Sequence, residues 1–150
     1  MKKEFDAMLC QRYSLIIAER SRSIQESCMG WGFLCGDGWF DLIDTLCERL
    51  QFWTDHNKAP QVIAKQVKQK WGTLCFYVRD ANEHQLGMIA MAEAMSARVC
   101  ETCGKPGRIV VAGAYMARCP EHSPIDAVTR EVFEATLASK NAGLTPGAEL

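Results

Sequence analysis

Three cysteines and one histidine in the last third of the chain have the types and spacing of metal ligands. Two residues separate Cys100 from Cys103 and two separate Cys119 from His122, with fifteen residues between the pairs. Two such pairs can close tetrahedrally around one ion, and the connection between them is long enough for a short hairpin. Because three thiolates and one imidazole fill all four positions of a zinc ion, we predict a structural Zn²⁺ site with no open position for catalysis.

Two other interpretations of these four residues are open. They could be ordinary reduced cysteines beside a histidine, or Cys100 and Cys103 could form a redox pair. The redox pair lacks the strand-to-helix context that such motifs have, and it leaves the spacing of Cys119 and His122 to coincidence. The sequence therefore favours the metal site.

The residues around the ligands predict a small zinc module over residues 98–139. Gly104 permits a tight turn directly after the second cysteine, and the short runs on either side of Gly113 predict a hairpin. Ser123 followed by Pro124 predicts the start of a helix, since serine caps helices well and proline suits their first position. Knuckle, hairpin and helix in this order resemble a treble-clef zinc finger, with a zinc ribbon as the alternative.

A second set of residues has the composition of a nucleic-acid surface. Residues 61–70 and 73–79 read as the two strands of a hairpin, and cations and aromatic side chains alternate along it. These are Lys65, Lys68, Lys70, Trp71, Tyr77 and Arg79. Lysine neutralises phosphates and aromatic rings stack on bases. The alternatives are that edge lysines merely prevent aggregation and that Trp71 and Tyr77 belong to the core.

The glycine-rich segment Cys35-Gly-Asp-Gly-Trp39 is a third candidate site. Its glycines would let the backbone approach a ligand, with Cys35 or Asp37 as the reactive group. No Gly-Lys-Ser/Thr follows, so it is not a phosphate loop. We favour the structural interpretation, in which Asp37 caps the next helix and Trp39 packs beneath the loop.

Periodicity predicts an α+β fold in which helices and a β-hairpin pack together, followed by the zinc module. The predicted helices before the module cover residues 3–20, 39–55 and 82–97. The last of these carries Met88, Met91 and Met95 on one stripe, a pattern more typical of core than of a binding groove. The predicted organisation is a body over residues 1–97, the module over 98–139, and a flexible tail over 140–150.

Composition excludes several classes of protein. The 150 residues are 48% hydrophobic, which is enough for one core, and 17 basic against 18 acidic residues leave a net charge of −1. No apolar run reaches membrane-spanning length, and no signal peptide precedes the first helix. Eight cysteines without a secretory signal favour a reducing compartment. We therefore expect a cytoplasmic protein that does not enter a membrane.

Four segments together resemble a group of small phage and prophage proteins, over about residues 30–123. The segments are Cys35-Gly-Asp-Gly-Trp-Phe40, Val67-Lys-Gln-Lys-Trp-Gly-Thr-Leu-Cys-Phe-Tyr77, the stretch from Met95 to Gly107, and Cys119-Pro-Glu-His122. The resemblance implies no catalytic residues. It suggests a non-enzymatic protein that binds a host protein, including as an inhibitor of a defence or housekeeping complex. The alternative hypothesis is nucleic-acid binding by the basic hairpin and zinc unit, and a hydrolase at the glycine-rich segment is the third.

Overall fold

The computed structural model describes residues 1–142, which form four α-helices and six β-strands. The α+β class predicted from periodicity is confirmed. The elements are α1 (Lys3–Arg12), β1 (Phe33–Leu34), α2 (Phe40–His56), β2 (Ile63–Lys70), β3 (Thr73–Arg79), α3 (Glu83–Ser96), β4 (Arg108–Ala112), β5 (Ala114–Arg118), β6 (Val128–Thr129) and α4 (Arg130–Ala142).

The first sheet has the order β1-β2-β3, with β1 parallel and β3 antiparallel to β2. Val67 pairs with Phe76 in the centre of the hairpin, and Lys70 pairs with Thr73 at its end. The two residues between the strands, Trp71 and Gly72, have φ angles of 55° and 80°. Positive φ at both positions matches the right-handed twist of the flanking strands, so the predicted hairpin is confirmed with a tight two-residue turn.

Helix α3 packs along the β3 edge of this sheet and against α2, and the two helices run in opposite directions. At one end, the Trp53 ring near the end of α2 stacks on the His84 ring near the start of α3, with 3.7 Å between centroids. At the other end, the Trp39 indole just before α2 donates a hydrogen bond of 2.9 Å to the carbonyl oxygen of Val99 just after α3. The buried residues between helices and sheet form the core; examples are Ile43, Leu46, Leu50, Val67, Leu74, Phe76 and Ile89.

The second sheet has the order β5-β4-β6 and contains the predicted hairpin around Gly113, whose φ of +71° suits the turn. Ala117 of β5 belongs to the same buried cluster as the core of the body. The Gln69 side chain of β2 also donates a hydrogen bond of 2.8 Å to the carbonyl oxygen of Tyr115. The two sheets therefore touch, while the division into residues 1–97 and 98–139 stays a prediction.

The first predicted helix is shorter than its periodicity suggests. Helix α1 ends at Arg12, and residues 13–21 form successive turns in place of the predicted continuation to residue 20. Ile16 and Ile17 are buried as the apolar pattern requires. The Ile16 carbonyl oxygen, however, accepts a hydrogen bond of 2.8 Å from the backbone of Ala64 at the sheet. This long-range contact occupies the carbonyl oxygen that a helix continuing to residue 20 would bond to the Arg20 amide, which instead bonds to Ile17.

The last predicted helix begins later than the Ser123-Pro124 signal indicates. Val128 and Thr129 are extended and pair with β4, so α4 starts only at Arg130. The second ligand pair accordingly lies on a 3-10 turn, Pro120–His122, and not at the start of a helix. A treble clef carries its second ligand pair at the start of a helix, and this protein lacks that feature. Of the predicted tail, residues 140–142 belong to α4, and residues 143–150 lie outside the described part of the chain.

Within residues 1–142, no helix has both the length and the apolar character needed to cross a bilayer.

Candidate metal centre and apolar groove

The four residues with metal-ligand spacing come together in the fold. The ligand atoms of Cys100, Cys103, Cys119 and His122 all lie within 4.8 Å of one another. The sulfur atoms of Cys103 and Cys119 are 3.7 Å apart, and the Cys100 sulfur lies 3.8 Å from Nδ1 of His122. All eight cysteines of the chain are free of disulfide bonds. The cluster could therefore hold a metal ion.

The turn that carries Cys100 and Cys103 is built to stabilise a thiolate. The Gly104 amide donates a hydrogen bond of 2.8 Å to the Cys100 carbonyl oxygen, and Gly104 has a φ of +77°, which only glycine adopts readily. Burial would raise the pKa of the Cys100 thiol, but the amides of Cys119, Cys103 and Thr102 point at its sulfur and lower this pKa to about 6. The thiolate that a metal requires is thus favoured at neutral pH.

Two ion pairs connect the parts of the centre to one another. Lys105, after the first ligand pair, lies 2.8 Å from Glu121, which is between the second pair. Arg118 of β5 lies 3.2 Å from Glu101 of the first turn. Both bridges join segments that are 16 or 17 residues apart in sequence, so they hold the two ligand pairs in register around the site.

The glycine-rich segment packs directly on this turn. The amides of Gly36 and Gly38 donate hydrogen bonds of 2.9 Å and 2.8 Å to the side chain and the carbonyl oxygen of Glu101. A Cβ atom at Gly38 would clash with the carbonyl oxygen of Cys100 and stand 2.7 Å from the Cys103 amide nitrogen. Glycine is therefore required here for close approach to the turn that carries Cys100 and Cys103.

The side chains of the same segment are held by the protein itself. Trp39 is fully buried, and its indole bonds to Val99. Burial raises the pKa of the buried Cys35 thiol to about 12, so this group is not a thiolate at neutral pH. The Asp37 carboxylate accepts a hydrogen bond of 2.7 Å from the Lys2 amide, whereas the N-cap position of α2 is Trp39. The expectation that Asp37 caps α2 is wrong, since Asp37 instead anchors the start of the chain.

Two cations of the basic hairpin are already engaged in ion pairs within the protein. Lys65 and Arg79 both form ion pairs with Glu19, whose side chain is only 2% exposed. The hydrogen bond from Lys65, followed by one from Ser27, lowers the pKa of Glu19 to about 2. Glu19 was not identified from the sequence, because its partners lie 46 and 60 residues away and no local pattern marks the pairing.

The rest of the hairpin's candidate residues remain at the surface. Trp71 and Tyr77 are 65% and 46% exposed, so the expectation that they could be core residues is wrong. Lys70 is exposed, and the Lys68 ammonium lies 5.8 Å from the centre of the Tyr77 ring. Lys68, Lys70 and Tyr77 lie on the sheet face opposite the buried Leu74 and Phe76.

An apolar groove of about 860 Å³ runs between α2 and α3. Leu42 and Leu46 line it from α2, and Met88, Met91 and Met95 line it from α3. Met91 is 63% exposed and Met95 is 49% exposed. For these two residues the assignment of the methionine stripe to the core is wrong.

Met91 and Met95 are exposed because a neighbouring stripe of α3 faces the core. The buried residues of this helix are Gln85, Ile89, Ala92 and Ser96, which repeat at helical spacing beside the methionine stripe. The Ser96 hydroxyl accepts a hydrogen bond from the Leu74 amide, and Glu93 accepts one from the Phe76 amide. These bonds orient α3 on β3 and leave the methionines at the edge.

The groove also contains a glycine that the rest of the fold does not require. Gly87 lies in the middle of α3, and a Cβ atom placed on it would have no neighbour within 4 Å. Glycine inside a helix costs about 0.5–1 kcal/mol relative to alanine. A glycine in a methionine-bearing helix is the signal by which the groove could have been found from sequence.

The fold and the cluster define a small α+β protein with a cysteine and histidine centre that could hold a metal ion, beside an apolar groove. Comparison of the chain with protein-family models, with curated proteins and with solved structures returned no match.

Proposed function

We propose that this protein acts by binding another protein in the groove between α2 and α3, with a structural Zn²⁺ ion holding the adjacent cysteine and histidine centre. The observation that carries the proposal is the groove itself, with its exposed methionines. The resemblance to phage and prophage proteins supports a bacterial host protein as the partner, in the host cytoplasm. Inhibition of a host defence or housekeeping complex is the expected consequence of binding.

The donor set supports zinc as the metal. Zinc binds thiolate sulfur at about 2.3 Å, so the sulfur atoms of a tetrahedral site stand about 3.8 Å apart. The separation of 3.7 Å between the Cys103 and Cys119 sulfurs fits this value. Four protein ligands leave no position for a substrate, which supports a structural role.

The lining of the groove supports a protein as the ligand. Methionine side chains are flexible and polarisable, so an exposed row of them adapts to the apolar side chains of a partner. The cavity volume lies within the range of roughly 300–1,000 Å³ that is typical of binding pockets. Gly87 leaves room for the backbone of a bound segment to approach α3 closely.

Filling the groove at Gly87 is expected to abolish partner binding without unfolding the protein. In Gly87→Trp the indole would occupy the open space above α3, so we expect at least a tenfold loss of the host protein captured from a bacterial lysate, measured by quantitative mass spectrometry. Gly87→Ala is the matched control, and it should retain capture and gain about 0.5–1 kcal/mol of stability. Equal capture by Gly87→Trp and the wild type would contradict the proposal.

Nucleic-acid binding is the second candidate function, and it is favoured by the exposure of Lys70, Trp71 and Tyr77, with the half-buried Lys68 beside the Tyr77 ring. If it holds, Lys68→Glu with Lys70→Glu should remove salt-sensitive retention on single-stranded DNA, because two phosphate contacts become repulsive. Stability should change by less than about 0.5 kcal/mol. Lys3→Glu with Lys140→Glu carries the same change of charge elsewhere and should leave retention unchanged. Absence of retention by the wild-type protein would rule out this candidate.

A further inference from the structure

We infer that the groove takes an amphipathic helix of about three turns from the partner protein, with a basic side chain near each end. This inference rests on the proposed function and specifies the occupant of the same groove. It follows from the groove's walls, its length and the charges at its ends.

The walls favour a helix over an extended segment. Both sides of the groove are α-helices, whose backbone amides and carbonyls are already bonded within the helix. An added strand would find no free sheet edge there with which to pair. A helix needs only apolar side chains to interdigitate with the leucines and methionines, and Gly87 permits the short interaxial distance of about 8 Å at one point of contact.

The antiparallel arrangement of α2 and α3 sets the length. One end of the groove lies at Asp41 and Val99, and the other lies at Glu83 and His84. Along α3 the lining residues extend from Glu83 to Met95. Twelve residues at 1.5 Å each give a span of about 18 Å, which corresponds to about three helical turns of an occupant.

The charges at the two ends favour a basic partner. Asp41 and Glu83 are exposed, and among the described residues neither carboxylate has an ion-pair or hydrogen-bond partner. Arg49 also borders the groove, but its guanidinium lies 3.4 Å from Glu48 and 4.6 Å from the centre of the Phe52 ring. The unpaired charge on the rim is therefore negative at both ends. Each acid also lies in the first turn of its helix, where its negative charge stabilises the helix through the helix dipole. An experiment must therefore separate partner binding from helix stabilisation.

A displayed library of about 16-residue helical peptides tests the inference. The probe has a fixed stripe of leucine and alanine at helical spacing, and two randomised positions eleven residues apart, which is about three turns. We expect selection on the zinc-loaded wild-type protein to enrich lysine or arginine at both positions at least tenfold over the starting library. The Asp41→Lys, Glu83→Lys variant should enrich aspartate and glutamate at the same positions, while its thermal midpoint shows that the fold is retained.

The outcomes separate this inference from the proposed function. Enrichment of peptides without basic ends, or no enriched peptide at all, overturns the inference. In that case loss of lysate capture by Gly87→Trp would still support a protein partner of another form. If Gly87→Trp neither blocks the enriched peptides nor reduces lysate capture, both the inference and the proposed function fail. A small apolar molecule co-purifying with the wild type, in place of a peptide preference, would also overturn the inference.

Discussion

Chelation of the zinc-loaded protein is expected to unfold the segment from residue 98 to 139 while most of the helical signal of the body persists. Structural zinc contributes on the order of 10–16 kcal/mol in small zinc-binding peptides at neutral pH, which exceeds the total stability of most small domains. Circular dichroism and the thermal midpoint, recorded before and after chelation, measure the effect. Restoring Zn²⁺ should restore both.

The expectation follows from how little core this segment has of its own. Its buried apolar side chains and thiols are Cys100, Val110, Val111, Ala117 and Cys119, two of which are ligands. Helix α4 has no buried residue. Without the metal, the conformational entropy of some forty residues would be opposed by only three apolar side chains and a few surface ion pairs.

Cys103→Ser should reproduce the effect of chelation, because serine is a poor ligand for zinc and one of four positions is lost. Cys28→Ser is the matched control, since Cys28 is exposed and outside the cluster, and it should leave metal content and thermal midpoint unchanged. An unchanged midpoint in chelated protein whose metal content has fallen to zero would refute a structural role for the ion.

Replacing Glu19 by glutamine is expected to lower the free energy of unfolding by about 2–3 kcal/mol at pH 7. Glu19 is buried and accepts charge-assisted bonds from Lys65 and Arg79. A glutamine at this position is neutral and has one acceptor oxygen in place of two, so it makes weaker hydrogen bonds with these two cations. Lys65 and Arg79 are 38% and 46% exposed, so in the variant they can be hydrated by solvent, which limits the loss of stability. Urea unfolding of the wild type and of Glu19→Gln measures this loss of stability.

The ion pairs of Glu19 predict how the difference in stability between the wild type and Glu19→Gln depends on pH. The pKa of Glu19 is lowered from 4.5 to about 2, so the folded state favours the charged form. The stabilisation is present above about pH 4.5 and is lost as the pH falls through about 2. The difference in stability between wild type and Glu19→Gln should therefore shrink between these values. Glu48→Gln, an exposed counterpart, should cost less than about 0.5 kcal/mol at every pH. A constant difference for Glu19→Gln would contradict the assignment.

The features that the sequence predicts well depend on neighbours within a few residues. Each ligand pair lies on its own local turn, with Gly104 directly after the first, and each hairpin turn contains a glycine at positive φ, Gly72 or Gly113. For such features the local preference and the final fold agree, so spacing and residue type are enough.

The features that the sequence misses depend on partners far along the chain. The turns that replace the predicted continuation of the first helix include the bond from Ala64 to Ile16, and the delayed start of α4 is set by the pairing of Val128 and Thr129 with β4. The exposure of Met91 depends on which side of α3 contacts β3, and the hydrogen bond from the Phe76 amide to Glu93 fixes that side. Helical periodicity identifies an apolar stripe but does not say which of two adjacent stripes meets the sheet.

Gly38, Val99 and Gly104 line one end of the groove and also form or contact the turn that carries Cys100 and Cys103. If the proposed metal and partner both bind, we expect the two binding events to be thermodynamically linked, and linkage is reciprocal. A partner bound in the groove should raise the affinity for zinc by the same factor by which zinc raises the affinity for the partner. The protein would thus be most resistant to losing its metal while it is engaged, and most exposed to chelation or thiol oxidation when it is free.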